Sequence, residues 1–291
     1  MDTILVTGSS GLLGSSLVPL IVQGEYTVIT HARSGGADCQ ADLSVQEDVI
    51  KLLDKVKPNV IVNLAGLTDV DRCEAQPKQA YFGNVRTIEN IVTCIKREKA
   101  ACHLVQISTD QVYDGHGPHV EDQVALTNYY AFSKYAGELA AAGVSSTILR
   151  SNFFGRSRCP KRVSLTDWLY HSLSNNDNIQ VFDDVLFSPL SMATLSEMIE
   201  LSIRQKPVGV FNLGSHTGMS KAEFAFAFAA ELDKPTSTMT HTSSDKAAFL
   251  KTYRPKDMRM DSSRFENVLA VKLPSLQDEL KRVAREYHEV T

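Results

Sequence analysis

The segment NYYAFSKYAGE, residues 128–138, holds a tyrosine and a lysine at a spacing that could support acid–base chemistry. Tyr130 lies four residues before Lys134, and a helix places side chains at that spacing on one face. A phenol with an ordinary pKa of about 10 exchanges protons poorly at neutral pH, but a neighbouring ammonium stabilises the phenolate and lowers that pKa. The pair is therefore a candidate for general acid–base catalysis, unless both residues simply cover a helix surface.

Two hydroxyl groups end the apolar run before this helix. CHLVQIST, residues 102–109, reads as a buried strand that finishes with Ser108 and Thr109. Ligands of parallel sheets bind at the carboxyl ends of the strands. A hydroxyl at this edge could hydrogen-bond a substrate carbonyl.

Three glycines follow the first apolar strand at regular spacing. Gly8, Gly11 and Gly14 form a GxxGxxG pattern after the strand at residues 3–7 and before an apolar-periodic helix. Such glycines allow a tight turn, close approach of the backbone to a pyrophosphate, and packing of the helix against the strand. Strand, glycine loop and helix together predict a dinucleotide cofactor.

The end of the second strand indicates which dinucleotide is bound. An acidic residue there would bind the ribose hydroxyl of NAD, but VITHARSGG supplies Arg33 and Ser34 instead. Arginine pairs well with a phosphate, so NADP(H) is favoured over NAD(H). Asp42 could accept a hydrogen bond from the adenine amino group or belong to the N-cap region of the next helix, and both alternatives stay open.

Strands and helices alternate along the chain, which predicts an α/β fold. We expect a Rossmann doubly wound parallel sheet with a smaller α/β substrate-binding lobe. The Rossmann domain is predicted over residues 1–155 plus about 190–215, and the lobe over about 156–189 plus 216–291. Ser220 is the predicted N-cap of a helix at 220–232.

Composition sets limits on function. The 291-residue chain is 43% hydrophobic and carries a net charge of −4, with no long basic run to suggest nucleic acid. It has no apolar stretch of about 18 residues, so no membrane span is expected. The N-terminus does not resemble a signal peptide, and the histidines show no metal-ligand spacing. Five scattered cysteines indicate reduced thiols in a cytoplasmic protein.

Four segments together carry a family resemblance: TGSSGLLG, NLAGLTDVDRCEAQP, STDQVYDG and YYAFSKYAGE. They resemble the extended short-chain dehydrogenase/reductase superfamily and, within it, the dTDP-4-dehydrorhamnose reductase family. RPKDMRMDSSRFE, residues 254–266, is similar to a C-terminal segment of that family, so the similarity covers essentially the whole chain. The resemblance implies NADPH-dependent reduction of the 4-keto group of a nucleotide-linked 6-deoxysugar, for cell-surface polysaccharide precursors. Superfamily members often dimerise, and a homodimer is left open.

The resemblance also assigns roles to individual residues. It implies a catalytic set of Thr109, Tyr130 and Lys134. The residues discussed above and those that the resemblance adds make up the expected cofactor-binding set. Its members are Gly8, Ser10, Gly11, Leu12, Leu13, Gly14, Arg33, Asp42, Leu43, Ala65, Gly66, Leu67, Asn84, Ser108, Tyr130, Lys134, Arg150 and Asn152. The expected substrate-binding residues are Thr68, Val70, Thr109, Gln111, Val112, Tyr113, Asn152, Phe153, Trp168 and Arg254. For Trp168, a buried core position is the alternative to stacking on a base.

Several positions depart from the family pattern. Ala131 replaces the usual glycine after the tyrosine, and Gln111 and Tyr113 replace an aromatic residue and a phenylalanine. The sequence therefore names neither the sugar nor the nucleotide. The basic loop GRSRCPKR, residues 155–162, could meet a substrate diphosphate through Arg156, Arg158, Lys161 and Arg162, or could be a solvated loop.

Three other functions fit the same fold. Dehydratases typically add an Asp–Glu pair beside the catalytic threonine, whereas Thr109 is followed by Asp110 and Gln111. Sugar-nucleotide epimerases often carry the acid after the second strand that is missing here. The regulatory subunit of methionine adenosyltransferase has this family's fold, binds NADP and acts through protein contacts, so a non-catalytic role is the alternative from a different class.

Overall fold

The computed structural model describes residues 1–98, 101–160 and 162–289. The chain divides into two compact units. The first comprises Met1–Thr109, Asn128–Arg150 and Ser196–Phe211, and the second comprises Asp110–Thr127, Ser151–Leu195 and the chain from Asn212 onward.

The bounds of the regular elements are as follows. The strands are β1 (Asp2–Thr7), β2 (Tyr26–Ala32), β3 (Cys39–Gln40), β4 (Val60–Asn63), β5 (His103–Thr109), β6 (Ser146–Ser151), β7 (Phe153–Phe154), β8 (Ile179–Phe182), β9 (Leu186–Phe187), β10 (Leu190–Ser191), β11 (Gly209–Leu213), β12 (Met219–Ser220) and β13 (Met239–Thr242). The helices are α1 (Leu12–Ile21), α2 (Gln46–Val56), α3 (Val70–Ala75), α4 (Pro77–Tyr81), α5 (Thr87–Glu98), α6 (Tyr129–Ala141), α7 (Leu165–Ser174), α8 (Met192–Gln205), α9 (Lys221–Glu231), α10 (Ser263–Leu269) and α11 (Leu276–His288).

The first unit is built on a seven-stranded sheet in the order β11-β6-β5-β4-β1-β2-β3. β1 pairs in parallel with β2 on one side and β4 on the other, so that Leu5 faces Ile29 and Ile61. This is the strand order of a doubly wound Rossmann sheet, and the predicted fold class is confirmed. The order reverses between β1 and β4, so ligands are expected at the carboxyl ends of these strands.

Residues 77–98, which the sequence pattern predicts as one helix, form three segments. A π-helical turn, Phe82–Arg86, separates α4 from α5. The backbone oxygen of Asn84 in this turn meets α6 at Gly137, where an added Cβ would lie 2.4 Å from that oxygen. The π turn is thus accommodated by a glycine on the neighbouring helix, and such turns are frequent at functional sites.

The second unit contains three two-stranded pairs, β7 with β10, β8 with β13 and β9 with β12. Its core is rich in aromatic rings, with Phe154 and Phe224 edge-to-face at 4.8 Å between centroids. The N-cap role predicted for Ser220 is confirmed. Its hydroxyl accepts from the Glu223 N–H, and the Glu223 carboxylate accepts from the Ser220 N–H, which forms a complete capping box.

The unit boundaries differ from the predicted domain boundaries. Residues 110–127 and 151–155 were expected in the first domain, but both belong to the second unit. The backbone explains the first difference, because the His119 N–H donates to the Arg259 oxygen and the Asp261 N–H donates to the His119 oxygen. These bonds join residues far apart in sequence, so local pattern does not reveal them. Across the ranges that the structure describes, no helix is long and apolar enough to cross a bilayer.

Candidate active site

The glycine loop has geometry that only glycine satisfies at two positions. Gly8 has φ of +67°, and a Cβ there would lie 2.8 Å from the Ala65 nitrogen. A Cβ on Gly14 would lie 2.3 Å from the Ser9 oxygen. Gly8 therefore lets β1 turn sharply beside the end of β4, and Gly14 lets α1 pack directly against the loop.

The N-terminus of α1 is a favourable place for an anion to bind. Gly11 stands at the N-cap, and the first turn of the helix contains no acidic residue. The Ser9 N–H and hydroxyl both donate to the His31 oxygen at 3.1 Å, which holds the loop against β2. The first N–H groups of a helix lack intrahelical acceptors and carry the positive end of its dipole. This cradle fits the pyrophosphate of a dinucleotide.

The predicted adenosine side of the cofactor contains Arg33 and Asp42. Arg33 is exposed directly after β2. Asp42 Oδ1 accepts from the Ser44 N–H at 2.9 Å and from the Ser44 hydroxyl at 2.7 Å. These bonds, with a smaller contribution from the Arg33 charge, lower the pKa of Asp42. Asp42 thus forms the turn ahead of α2, which favours the second of its two roles, and the adenine contact stays a prediction.

Tyr130 and Lys134 lie one turn apart on α6, as the spacing predicts. The Asn128 side chain caps this helix by accepting from the Ala131 N–H at 2.8 Å. Tyr130 is 6% exposed and belongs to a small buried cluster with Val70 and Cys73. The Lys134 ammonium donates to the Ile107 oxygen of β5 at 2.7 Å, two residues before Thr109. The helix and strand therefore bring the three predicted catalytic residues into one unit.

The charge on Lys134 depends on two opposing effects. Burial lowers its pKa to about 8, and the negative charge of Glu138 opposes that fall. At neutral pH the ammonium form still predominates. An ammonium in this position can stabilise a phenolate.

Asn84 connects the loop after β4 to α6. Its Oδ1 accepts from the Leu67 N–H at 2.7 Å, and its Nδ2 donates to the Leu67 oxygen and to Ser133 Oγ, both at 2.9 Å. A Cβ on Gly66 would lie 2.8 Å from Asn84 Oδ1. The Asn84 amide is thus engaged in holding the 65–68 loop, so its contribution to the cofactor site is through this loop.

Glu138 was not among the site residues predicted from the sequence. Its carboxylate is 2% exposed and accepts from the Arg150 guanidinium, with 2.6 Å between Arg150 Nη2 and Glu138 Oε2. The Ser108 hydroxyl also donates to this carboxylate. The side chains of Ser108 and Arg150 thus bind Glu138, and their predicted cofactor contacts stay a prediction. The four-residue spacing from Lys134 could have revealed Glu138, since it repeats the Tyr130–Lys134 spacing.

Two predicted cofactor residues have buried side chains. Leu13 and Leu43 are each 5% exposed, and Leu43 belongs to a hydrophobic core cluster of the unit. The Leu43 oxygen accepts from Asn90 Nδ2 at 2.9 Å. Packing therefore occupies both side chains, and the cofactor-binding role of these leucines stays a prediction. Ser10 and Ala65 lie on the loops after β1 and β4, and Leu12 is the first residue of α1.

In the second unit, Asp110 and Asn152 form a buried polar contact. Asp110 follows Thr109 in the chain, and Asn152 Nδ2 donates to Asp110 Oδ2 at 2.7 Å. Val112 and Tyr113 are fully buried, and the Tyr113 hydroxyl donates to Asn212 Oδ1 at 2.7 Å. Both side chains are therefore packed inside the second unit, and their predicted substrate contacts stay a prediction.

Lys221 is a second candidate site residue that was not predicted from the sequence. β9 pairs with β12 on one side. On its other side, Leu186 of β9 forms a parallel bridge with Asp257. Lys221 follows β12, and Arg254 precedes Asp257. The Lys221 ammonium lies 5.6 Å from the centre of the Phe187 ring. Burial lowers its pKa, while the charge of Asp110 opposes and that of Arg254 adds to the effect. Two cations therefore lie near the same short strand.

Of the other predicted substrate residues, Thr68 and Val70 lie in the first unit, whereas Phe153, Trp168 and Arg254 lie in the second. Trp168 is 41% exposed on α7, so the alternative of a buried core tryptophan is wrong. Phe153 is partly buried in β7. Arg156 and Arg162 line a pocket of about 290 Å³ together with Tyr170 and His171, while Lys161 lies outside the described residues. Arg156 Nη1 donates to the Glu286 oxygen at 3.2 Å.

A dinucleotide cradle after β1, combined with a tyrosine–lysine pair on the helix that follows β5, defines the class of protein. These features on a seven-stranded Rossmann sheet are those of an extended short-chain dehydrogenase/reductase. Within this class, the family model described as RmlD substrate binding domain matches residues 1–289, and the chain belongs to that family.

Relatives of known name extend over nearly the whole chain. The chain is 29% identical over 292 residues to the probable low-salt glycan biosynthesis reductase Agl14 of Haloferax volcanii, covering 94% of this chain and 95% of the relative. It is 27% identical over 312 residues to a dTDP-4-dehydrorhamnose reductase of Aggregatibacter actinomycetemcomitans, covering 99% and 100%. The structure of dTDP-4-dehydrorhamnose reductase from Bacillus anthracis in complex with NADP shares the fold, with a TM-score of 0.88, 23% identity and coverage of 98% and 99%.

Proposed function

We propose that this protein reduces the 4-keto group of a nucleotide-linked 6-deoxysugar with NADPH, in the synthesis of precursors for cell-surface polysaccharides. The observation that carries the proposal is the Tyr130–Lys134 pair on α6, with Lys134 bound to the strand that ends in Thr109. The names of the Aggregatibacter and Haloferax relatives support the substrate class. We place the reaction in the cytoplasm, where the five buried cysteines would remain thiols.

The chain's own residues would hold the cofactor at the cradle. The N–H groups at the start of α1, reached through Gly8 and Gly11, would bind the pyrophosphate. Arg33 would pair with the 2′-phosphate that distinguishes NADPH from NADH. When bound, NADPH supplies the hydride that reduces the carbonyl carbon.

The protein side of the reaction is a proton transfer. Tyr130 donates its phenolic proton to the carbonyl oxygen as negative charge develops there, and Thr109 donates a hydrogen bond to the same oxygen. The Lys134 ammonium stabilises the phenolate that remains on Tyr130. Because Tyr130 is buried, little water is present to weaken these interactions.

The substrate diphosphate requires cations in the second unit. Lys221 and Arg254, beside β9, are the pair we assign to it. The pocket beside the basic loop, lined by Arg156 and Arg162, is the competing location.

The test is NADPH oxidation with dTDP-, GDP- and UDP-linked 4-keto-6-deoxysugars, measured by absorbance. We expect turnover with one nucleotide, and a loss of about 100- to 10,000-fold in Tyr130→Phe with unchanged NADPH binding. Near-normal turnover of the variant would refute the role of Tyr130. Clear NADPH binding without turnover of any sugar would instead support a regulatory protein like the methionine adenosyltransferase subunit.

A further inference from the structure

The Glu138 carboxylate receives three donors while almost fully buried. Arg150 Nε donates to Oε1 at 3.0 Å and to Oε2 at 3.1 Å, Arg150 Nη2 donates to Oε2 at 2.6 Å, and the Ser108 hydroxyl donates to Oε1. Both members of the ion pair are 2% exposed. Removing two charges from water costs about as much as their attraction returns, so a buried pair is weak evidence for a gain in stability. Its position suggests a different role.

Glu138 lies where two elements of the site meet. Ile107 and Ser108 are consecutive residues of β5 directly before Thr109. The Ile107 oxygen accepts from Lys134, and Ser108 donates to Glu138. Two neighbouring residues of the strand are thus bonded to two successive turns of α6. These bonds fix the end of β5 relative to the helix that carries Tyr130.

The side chains whose charges act on Lys134 come from two elements. Glu138 lies on the same helix, α6, and Cys73 lies on α3. Burial raises the pKa of Cys73 to about 11, so this thiol is neutral at working pH. Glu138 therefore supplies the negative charge that acts on Lys134.

We propose that Glu138 is a positioning residue: it holds the end of β5 against α6 through Ser108, and its buried carboxylate, one helical turn from Lys134, stabilises the Lys134 ammonium. The proposal deepens the reductase function, on which its kinetic consequence rests. Without the carboxylate, the largest of the charge effects that oppose the burial of Lys134 is lost. A neutral Lys134 no longer stabilises the Tyr130 phenolate, and reduction slows as pH rises.

Two substitutions separate charge from shape. Glu138→Gln keeps the shape and removes the charge, whereas Glu138→Asp keeps the charge and shortens the side chain. The titration of Lys134 is followed by NMR of protein labelled with ¹³C-lysine, with the signal assigned through Lys134→Arg. Glu279→Gln is the matched control, because Glu279 is also a buried glutamate but accepts from Ser191 and Thr194 in the second unit.

In Glu138→Gln we expect the Lys134 titration midpoint to fall by about one pH unit or more, since a nearby charge is lost. The alkaline limb of kcat/KM should move with it, which is roughly a tenfold loss of rate on that limb per unit. Glu138→Asp should keep the midpoint closer to the unsubstituted value, and Glu279→Gln should leave both quantities unchanged. An unmoved midpoint in folded Glu138→Gln overturns the proposal.

If Glu138→Gln does not fold, Ser108→Ala tests the tether alone. It leaves the carboxylate in place, so turnover should fall about tenfold, as for loss of a hydrogen bond to a charged group, while the Lys134 midpoint stays. Unchanged turnover would overturn the tether. The NMR titration needs no substrate. A shifted Lys134 midpoint in a protein that reduces none of the sugars would therefore refute the proposed reaction and leave the charge role of Glu138 intact.

Discussion

At Lys134, two electrostatic effects act against each other, and burial is the larger of the two. Burial favours the neutral amine, and Glu138 favours the ammonium, with a resulting pKa of about 8. The residue therefore stays charged at neutral pH yet is within reach of titration in mildly alkaline solution. A tyrosine–lysine pair alone does not determine this balance, which depends on the depth of the helix face and on the carboxylate one turn further along.

Arg33 carries the predicted preference for NADPH. Arg33→Ala should raise the KM for NADPH about 10- to 100-fold, the loss expected for hydrogen bonds between charged partners, and leave the KM for NADH nearly unchanged. Arg33 is exposed, so the difference should shrink at high salt. The measurement is initial rate against each cofactor at saturating sugar nucleotide.

Arg97→Ala provides the control for Arg33. Arg97 is another exposed arginine of the first unit, and its guanidinium pairs with Asp54 and Glu98. It should affect neither cofactor. A rise in KM of equal size for NADPH and NADH after Arg33→Ala would show that Arg33 does not read the 2′-phosphate.

Residue roles were predictable where partners are close in sequence. The Tyr130–Lys134 spacing is a property of any helix, and the glycine loop follows from a local turn. The hydrogen-bond partners of the Ser108, Arg150 and Tyr113 side chains were not predictable. Tyr113 donates to Asn212, almost a hundred residues further along, and no local pattern specifies that contact.

At the scale of elements, the π turn between α4 and α5 shows tertiary structure overriding local sequence. The apolar periodicity of 77–98 favours one continuous helix, yet Phe82–Arg86 widens to place Asn84 against Leu67 and Ser133. Three hydrogen bonds of its amide compensate for the irregular turn. The close approach of α6 to the π turn also requires that α6 has no side chain where it faces Asn84. Gly137 meets this requirement.

Gly137→Ala tests this helix contact. The added Cβ would lie 2.4 Å from the Asn84 oxygen and 2.6 Å from Ile88 Cδ1, so backbone must shift. The intrinsic helix preference of alanine gives back about 0.5–1 kcal/mol, but overpacking of this kind costs about 1–3 kcal/mol. We expect net destabilisation in urea unfolding, with reduced turnover because the Asn84-bound loop is displaced.

The control for Gly137→Ala is Leu139→Ala on the same helix. Leu139 is 62% exposed, so its truncation should change the free energy of unfolding by less than about 0.5 kcal/mol. If Gly137→Ala were as stable and active as the original protein, the approach of α6 to the π turn would not be a constraint on the site.

For the whole molecule, alternation of strands and helices was enough to predict the first unit but not the second. A parallel sheet with crossover helices requires strand and helix segments to alternate along the sequence, and this alternation is easily recognised. The second unit instead uses two-residue strands paired across long separations, such as Met219 with Phe187, and these leave no periodic signal. The boundary at 110–127 was missed for the same reason, since its backbone pairs with residues near 259.

Binding of the substrate diphosphate depends on how charge is distributed in the second unit. The whole chain is acidic, with a net charge of −4, so attraction of a diphosphate must be local. Lys221 lies 5.6 Å from the Phe187 ring centre in the field of Arg254. Lys221→Met should raise the KM for the sugar nucleotide about tenfold, the loss of a charge-assisted contact, while NADPH affinity stays unchanged.

Lys234→Met is the matched control, because Lys234 also belongs to the second unit and also lies over an aromatic ring, 5.5 Å from the centre of Tyr170. It should leave the KM for the sugar nucleotide unchanged. Arg162→Met tests the competing pocket, which Tyr170 also lines. A raised KM in Arg162→Met together with a normal KM in Lys221→Met would locate the diphosphate at the basic loop and exclude the site beside β9. The opposite pattern is the one we expect, since Lys221 senses the charge of Asp110, the residue that directly follows Thr109 in the chain.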